Sequence, residues 1–357
     1  CRFGAKNTLD RNYLYLAERL GAEVLAETRV VDVRPIGSAD DGRDGYTVTM
    51  RPTFASSSAT TRKLHARNVV FSASSLGTQE LLLRLRDSGS LPLISDQLGQ
   101  KVRTNAESIL TVRYPGIRTD LSKGIAIGSG IHIDEHTHIE AVRYPRNSDL
   151  MGGMFTVLTH GKPGWSRPLA WLWAMLGLLV RHPIKALRFM LPFGFAAETV
   201  ILLCMQTLDG HINMRLKRRW YWPYGKAMVS EGKRIPTYIP AANRFAAAAA
   251  KATGGIGGSS LFEIFFNVPM TAHCMGGCAM AGSPDEGVVD AQNRVFNYQH
   301  LFVVDGSMIG ANCGVNPSLP TPAPLRRAMS FIPTAQLRES TVPADANTAE
   351  ATLGSQC

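Results

Sequence analysis

The chain has 357 residues, 38 basic against 28 acidic side chains, a formal charge of +10, and a composition that is 45% apolar and 8% aromatic. That is enough to bury a large core in one or two domains, and it excludes wholesale disorder. The longest apolar run, Leu169 to Val180, is shorter than the about 20 residues needed to cross a bilayer, and six cysteines with no CxxC pair fit neither a disulfide scaffold nor a zinc ribbon.

Residue 1 is Cys, and CRFGAKNTLDRNYLYLAERLG carries no apolar signal core, so the reading expects an incomplete N-terminus. Leu9, Tyr13, Leu16, Ala17 and Leu20 recur at helical spacing until Gly21. Strand-like runs follow at Ala22 to Leu25, Thr28 to Val33 and Tyr46 to Met50. RNVVFSA, at Arg67 to Ala73, is an apolar strand running through a small-residue turn into the helix SSLGTQELLLRLRDSG. Strand, tight turn and helix in that order suit an α/β nucleotide-binding sheet.

From about Gln100 the runs lengthen and alternate: SILTVRYPG, GIAIGSGIHID, HTHIEAVRYP and TVILLCMQTLDGHINMRLKRRW. They predict a second, mainly antiparallel sheet with one face free to wall a cavity. Ala241 to Thr253 reads as an alanine-rich helix ending in GGIGG, and the tail beyond about Thr334, without aromatic residues, reads as disordered.

The motif-dense stretch is TAHCMGGCAMAGSPDEGVVDAQNRVFNYQHLFVVDGSMIGANCGVNPSLPTPA. HLFVVDGS is a buried strand ending in Asp305 and Gly306, where a ligand meets the carboxyl end of an α/β sheet strand. GVNPSL is a tight turn that exposes Asn316 ahead of a helix whose free amides can receive an anion. His273 precedes a Gly-Gly turn; taken alone, a histidine there is more often a packed or capping residue than a reactive one.

Together, the histidine near a Gly-Gly turn, VVDGS and the NPSL turn resemble the C-terminal part of the glucose-methanol-choline oxidoreductases, which are FAD-dependent alcohol oxidases and dehydrogenases. The opening segment, VVFSASSLGTQELLLRLRDSGSLP and HIEAVRYP are similar to that family's cholesterol oxidase branch, so the resemblance runs from about Cys1 to Pro333. It implies a mixed α/β (α+β) fold: a Rossmann-like FAD-binding part, incomplete, drawn from residues 1–100 and 267–333, with an interleaved antiparallel-sheet substrate domain at 101–266 and a tail at 334–357.

The resemblance implies that His273 and Asn316 are the active-site pair and that Glu140, five residues before Pro145, is the base acting on a steroid ring. It also implies that Val30 lies against the adenine, Asp305 and Gly306 near the ribityl and pyrophosphate, and Ser318 near the isoalloxazine. A neutral imidazole at His273 suits removal of a hydroxyl proton during hydride transfer, and the Asn316 amide suits a substrate oxygen or the flavin edge. Glu140 in an apolar cavity suits proton movement from a 5-ene-3-ketone to its conjugated isomer; the plainer reading is a solvated strand carboxylate.

The implied partners are a sterol or other bulky alcohol and oxygen or another electron acceptor. The alternatives are a dehydrogenase of another alcohol that uses a quinone or carrier, and an inactive fragment retaining only the substrate fold. The residues do not fix a compartment beyond the cytoplasm or the membrane periphery.

The chain departs from the family pattern at Ser74, where a glycine is expected, at Cys274, where a proline is expected, and at Pro320, Pro322 and Pro324, which should delay or deform the helix after the NPSL turn. It also holds no strand-GxGxxG-helix fingerprint, since GGIGGSS follows a helix. The expectation is that this chain alone binds FAD weakly or not at all.

Two further readings compete. HIDEHTHIE would align His132, Asp134, His136, His138 and Glu140 on one face of a continuous strand as metal ligands. Lys162 to Arg234 holds twelve basic and three acidic residues and all five tryptophans. Beside LAWLWAMLGLL this suits peripheral contact with anionic lipid, while the alternative is a buried helix with a solvated basic flank. KRRWYWPYGK mixes cations and rings, but no nucleic-acid recognition module accompanies it, so nucleic acid is not expected.

Overall fold

The computed structural model describes residues 4, 6–54, 60–162, 164–220, 225–318 and 322–332; the tail expected to be disordered lies outside them. The opening helix is shorter than its apolar spacing predicts. The amides of Arg11 and Asn12 both turn back to the Thr8 carbonyl, and α1 spans only Tyr13–Arg19 with none of its side chains buried. Ala22 to Leu25 forms no strand. The next segments form β1 (Thr28–Pro35), β2 (Tyr46–Pro52) and β3 (Arg62–Ala66), an antiparallel sheet in that order. β3 is not marked in the sequence, because RKLHA is polar and buries none of its side chains, so it lacks apolar alternation.

RNVVFSA folds as β4 (Val69–Phe71) and leads into α2 (Ser74–Asp87). The central segment contains β5 (Ser108–Arg113), β6 (Ile127–His132), β7 (Thr137–Val142), β8 (Phe155–Val157), α3 (Ser166–Arg181), α4 (Pro183–Met190), α5 (Phe195–Glu198), β9 (Thr199–Gln206), β10 (Asn213–Arg218) and β11 (Lys226–Glu231). Then come α6 (Pro240–Thr253), β12 (Ile256–Ser260), α7 (Leu261–Phe265), β13 (Leu301–Val303) and α8 (Pro322–Met329).

A six-stranded antiparallel sheet in the order β6-β7-β9-β5-β12-β8 dominates. Its register separates two faces. Leu110, Val112, Ile139, Leu202 and Cys204 point one way and pack on Ala242, Ala246 and Ala250 of α6, whose small side chains admit close approach. Ile109, Leu203 and Glu140 share a rung on the opposite face, where Ile109, Val142 and Ile201 cluster with Phe155 and Phe195. β12 is a second strand the sequence hid. Gly254, at φ +71, ends α6 in the left-handed conformation that favours glycine, and from Ile256 the chain forms a strand between β5 and β8.

β4 and β13, far apart in sequence, pair in parallel, and their side chains Phe71, Leu301 and Val303 share a core with Leu82, Leu83 and Leu85 of α2. A parallel strand-helix element joined to a large antiparallel sheet is the mixed α/β (α+β) class the sequence implied. α8 forms over Pro322–Met329 despite Pro322 and Pro324, which fall in its first turn, where a missing amide donor has no helical partner to lose.

α3 is not the buried helix of the plainer reading: Arg167 is its one buried residue. The HIDEHTHIE segment is not one strand either. His132 ends β6, Asp134 accepts the His136 amide in a turn at 3.0 Å, and His138 lies on the return strand β7, paired with and stacked on His132 at 4.5 Å. No group of three or more His, Cys, Asp or Glu of metal-binding shape occurs among the described residues.

Candidate active site

His273 sits on the loop between α7 and the glycine turn. Gly276 (φ +71) and Gly277 (φ +94) are both left-handed, and a Cβ at either would strike the Lys101 carbonyl or the Gln79 amide, so this turn accepts no side chain. The turn is fastened to β13's exit: the Gly276 amide donates to the Gly306 carbonyl at 3.0 Å and the Cys278 amide to the Ser307 carbonyl at 2.9 Å. Through these bonds, Asp305 and Gly306 are held against the histidine loop.

The imidazole Nδ1 of His273 pairs with a carboxylate oxygen of Glu107. The other oxygen accepts the Ala272 amide at 2.9 Å. Glu107 is fully buried. An ionised carboxylate only accepts, so this contact puts the ring hydrogen on Nδ1 and leaves the Nε2 lone pair available to take a proton. Sequence reasoning missed Glu107. It enters β5 through TNAESILT with no motif around it, and the one clue was an acid heading an apolar strand.

Asn316 donates to Glu140 Oε2 at 2.6 Å, and Glu140, buried on β7, has its other oxygen 3.7 Å from His138 Nδ1. The two pairs are connected through Asn105. Its amide nitrogen reaches Glu107 at 3.4 Å and the Val315 carbonyl at 3.0 Å, and its side-chain oxygen accepts the Gly314 amide at 2.8 Å. The asparagine turn is further fixed by Asn312, whose side-chain oxygen accepts the Asn105 amide at 3.0 Å. Three of the sequence-derived residues, His273, Asn316 and Glu140, thus join one polar assembly, with Glu107 and Asn105 as its unforeseen members.

The remaining residues occupy three other places. Asp305 lies just past the end of β13 and is buried; its oxygens accept the Thr78 hydroxyl at 2.5 Å and the Ser307 amide at 2.8 Å. Thr78 also accepts the Ala73 amide at 3.0 Å, which draws the start of α2 to the carboxyl ends of β4 and β13. That start has no side-chain cap and no acid in its first turn, so its free amides and positive dipole suit an anionic group. These donors fit a dinucleotide pyrophosphate. Val30 lies in β1, half-buried against the α2 core, and Ser318 is exposed on the turn after Asn316.

Ser74, at φ +65, occupies the left-handed backbone that explains the expected glycine. Beneath β5, Glu263 is fully buried; both its oxygens accept the Ser108 hydroxyl at 3.1 Å, and the buried Arg167 stands 3.8 Å away. Burial pushes the Glu263 carboxyl up to about 7, against the opposing pull of Arg167.

Residues 261–323, which hold His273, Asp305 and Asn316, match the GMC oxidoreductase family model. The chain is 59% identical over 333 residues to a cholesterol oxidase of Acinetobacter baumannii, covering 93% of this chain and 59% of that protein. Over the stretch that carries His273, Asp305 and Asn316 the chain is similar to the GMC oxidoreductases. A cholesterol oxidase of Mycobacterium tuberculosis is 38% identical over 340 residues, covering 93% of this chain and 57% of that one. The chain therefore spans about three fifths of the length of these relatives. An FAD-dependent oxidoreductase from Chaetomium thermophilum shares the fold, with a TM-score of 0.51 and 14% identity over 90% of this chain and 63% of that one.

Proposed function

We propose that the protein is an FAD-dependent oxidase of a bulky secondary alcohol of the sterol class, with oxygen as the electron acceptor. The supporting observation is the junction of the His273–Glu107 pair with the Asn316–Glu140 pair through Asn105. FAD, when bound, supplies the hydride acceptor. His273 takes the hydroxyl proton on Nε2 as the hydride leaves the carbinol carbon, while Glu107 steadies the ring and the positive charge it acquires. The Asn316 amide carries two hydrogens; one is committed to Glu140, and the second is free for the substrate oxygen. The start of α2 together with Asp305 and Gly306 holds the pyrophosphate and ribityl, with Val30 toward the adenine and Ser318 toward the ring system.

Glu140 serves a second step. Its carboxylate removes a proton from the carbon between the ring ketone and the double bond and returns it to the far alkene carbon, giving the conjugated ketone. The test is turnover of cholesterol by the protein at saturating FAD, following hydrogen peroxide and the conjugated-enone absorbance together. Equal yields of peroxide and enone support the reading; a bound flavin with no peroxide from any sterol overturns it.

A further inference from the structure

The strongest unassigned feature is the helical hairpin α3–α4. On a helix packed against a soluble protein, the apolar stripe faces the core. Here it is reversed. Trp165, Leu169, Leu172, Trp173, Leu176, Leu179 and Val180 recur at steps of one, three and four residues, and all are exposed, Trp173 by 73%. α4 continues the surface with Ile184 at 76% and with Leu187 and Met190, and the following Phe193 is 76% exposed.

The hairpin is nevertheless firmly held on its inner side. Trp171 Nε1 donates to Thr156 of edge strand β8 at 2.8 Å and its ring meets Phe265 edge-on at 5.0 Å. Arg167 bonds the Thr237 and Glu263 carbonyls at 3.1 Å. Arg113 of β5 gathers the carbonyls of Phe189, Leu191 and Phe193 at 2.8 to 3.1 Å. Phe189 comes within 3.4 Å of a Cβ position at Gly258, on the sheet face that carries Glu140. The outer apolar face is thus a fixed feature and not a frayed segment.

Charge identifies its partner. Between Asp149 and Glu198 the chain has no acidic residue, and Lys162, Arg181 and Lys185 are exposed with no ion pair among the described residues. α3, at 16 residues, is about 24 Å long, and no described helix is long and apolar enough to cross a membrane. An apolar face flanked by free cations and devoid of acids is the pattern of a helix that lies in the interface of an anionic bilayer.

We infer that the α3–α4 hairpin is a lipid-docking surface: Trp165, Trp173, Ile184 and Phe193 enter the headgroup boundary of an anionic membrane, with Arg181 and Lys185 on its phosphates. This stands independently of the reaction at His273, because the readout is binding.

The full chain is sedimented with vesicles of phosphatidylcholine alone and of phosphatidylcholine with phosphatidylglycerol, at low and high salt, and its mass in solution is measured. The expected result is a monomer that partitions at least about tenfold more onto the anionic vesicles, loses that preference in high salt, and shows a blue-shifted tryptophan emission when bound. Trp173→Ser combined with Ile184→Ser and Phe193→Ser alters exposed side chains, so it keeps the native thermal transition and abolishes the shift. Arg181→Glu with Lys185→Glu lowers partition onto anionic vesicles by at least about tenfold. Equal binding to neutral vesicles, no binding to anionic ones, or a stable dimer that the triple variant breaks overturns the inference.

Discussion

Glu107 and His273 are paired carboxylate to imidazole, with the Ala272 amide on the acid's other oxygen at 2.9 Å. The pair fixes which ring nitrogen carries hydrogen, so Glu107 acts as a positioning residue for the group that takes the substrate proton. Glu107→Gln keeps the volume but can present its own hydrogens to Nδ1. The expected outcome is a fall in kcat of about 10²-fold with KM for the alcohol little changed, and partial rescue by Glu107→Asp. Steady-state kinetics at saturating FAD checks this; a loss confined to KM contradicts it.

Glu140→Gln separates the two steps proposed for the site. The Asn316 contact survives, because the Gln carbonyl oxygen accepts the same amide hydrogen. Oxidation is expected to continue within about tenfold, and isomerisation to fall by about 10²- to 10⁴-fold as the general base is lost. Chromatography of the products reads this directly: the variant accumulates the unconjugated ketone.

Ser74 at φ +65 opens α2 in a backbone region that costs a side chain about 1–2 kcal/mol. Its side chain is exposed, so Ser74→Gly relieves the strain without opening a cavity. The variant is expected to be more stable by about 1 kcal/mol in denaturant unfolding; unchanged or lowered stability contradicts the strain.

The buried Glu263 sets a pH signature. Its carboxyl is raised from 4.5 to about 7 in the folded chain, so between those values the native state holds a proton that the unfolded state has lost. Stability from this group is therefore fully present below pH 4.5, falls as pH rises from there to about 7, and levels off once the folded state has also lost the proton. Wild type is expected to lose melting temperature between pH 5 and pH 8 relative to Glu263→Gln, which keeps the bond to Ser108 and cannot ionise. Parallel melting curves of the two at both pH values check the sign.

The sequence revealed the sites that carry local motifs and concealed those that depend on tertiary placement. His273, Asp305 and Asn316 each sit in a turn whose glycines or strand exit are visible as letters. Glu107 has no such frame, and becomes recognisable only when β5 and the 273 loop come together. The long apolar β5, β7 and β9 read correctly as an antiparallel sheet. Polar β3 and glycine-rich β12 did not, because neither has the alternation that marks a half-buried strand. α3 showed the sharpest limit: its apolar spacing predicts a helix but cannot say whether the apolar stripe faces a core, and here it faces outward.

The most direct test of the account is the rate at which a sterol bleaches the bound flavin without oxygen present, measured in a stopped flow at saturating FAD for wild type and His273→Ala. The account predicts rapid bleaching in wild type and a rate about 10²- to 10⁴-fold lower in the variant. Equal rates in the two proteins, or no bleaching in wild type, would contradict it.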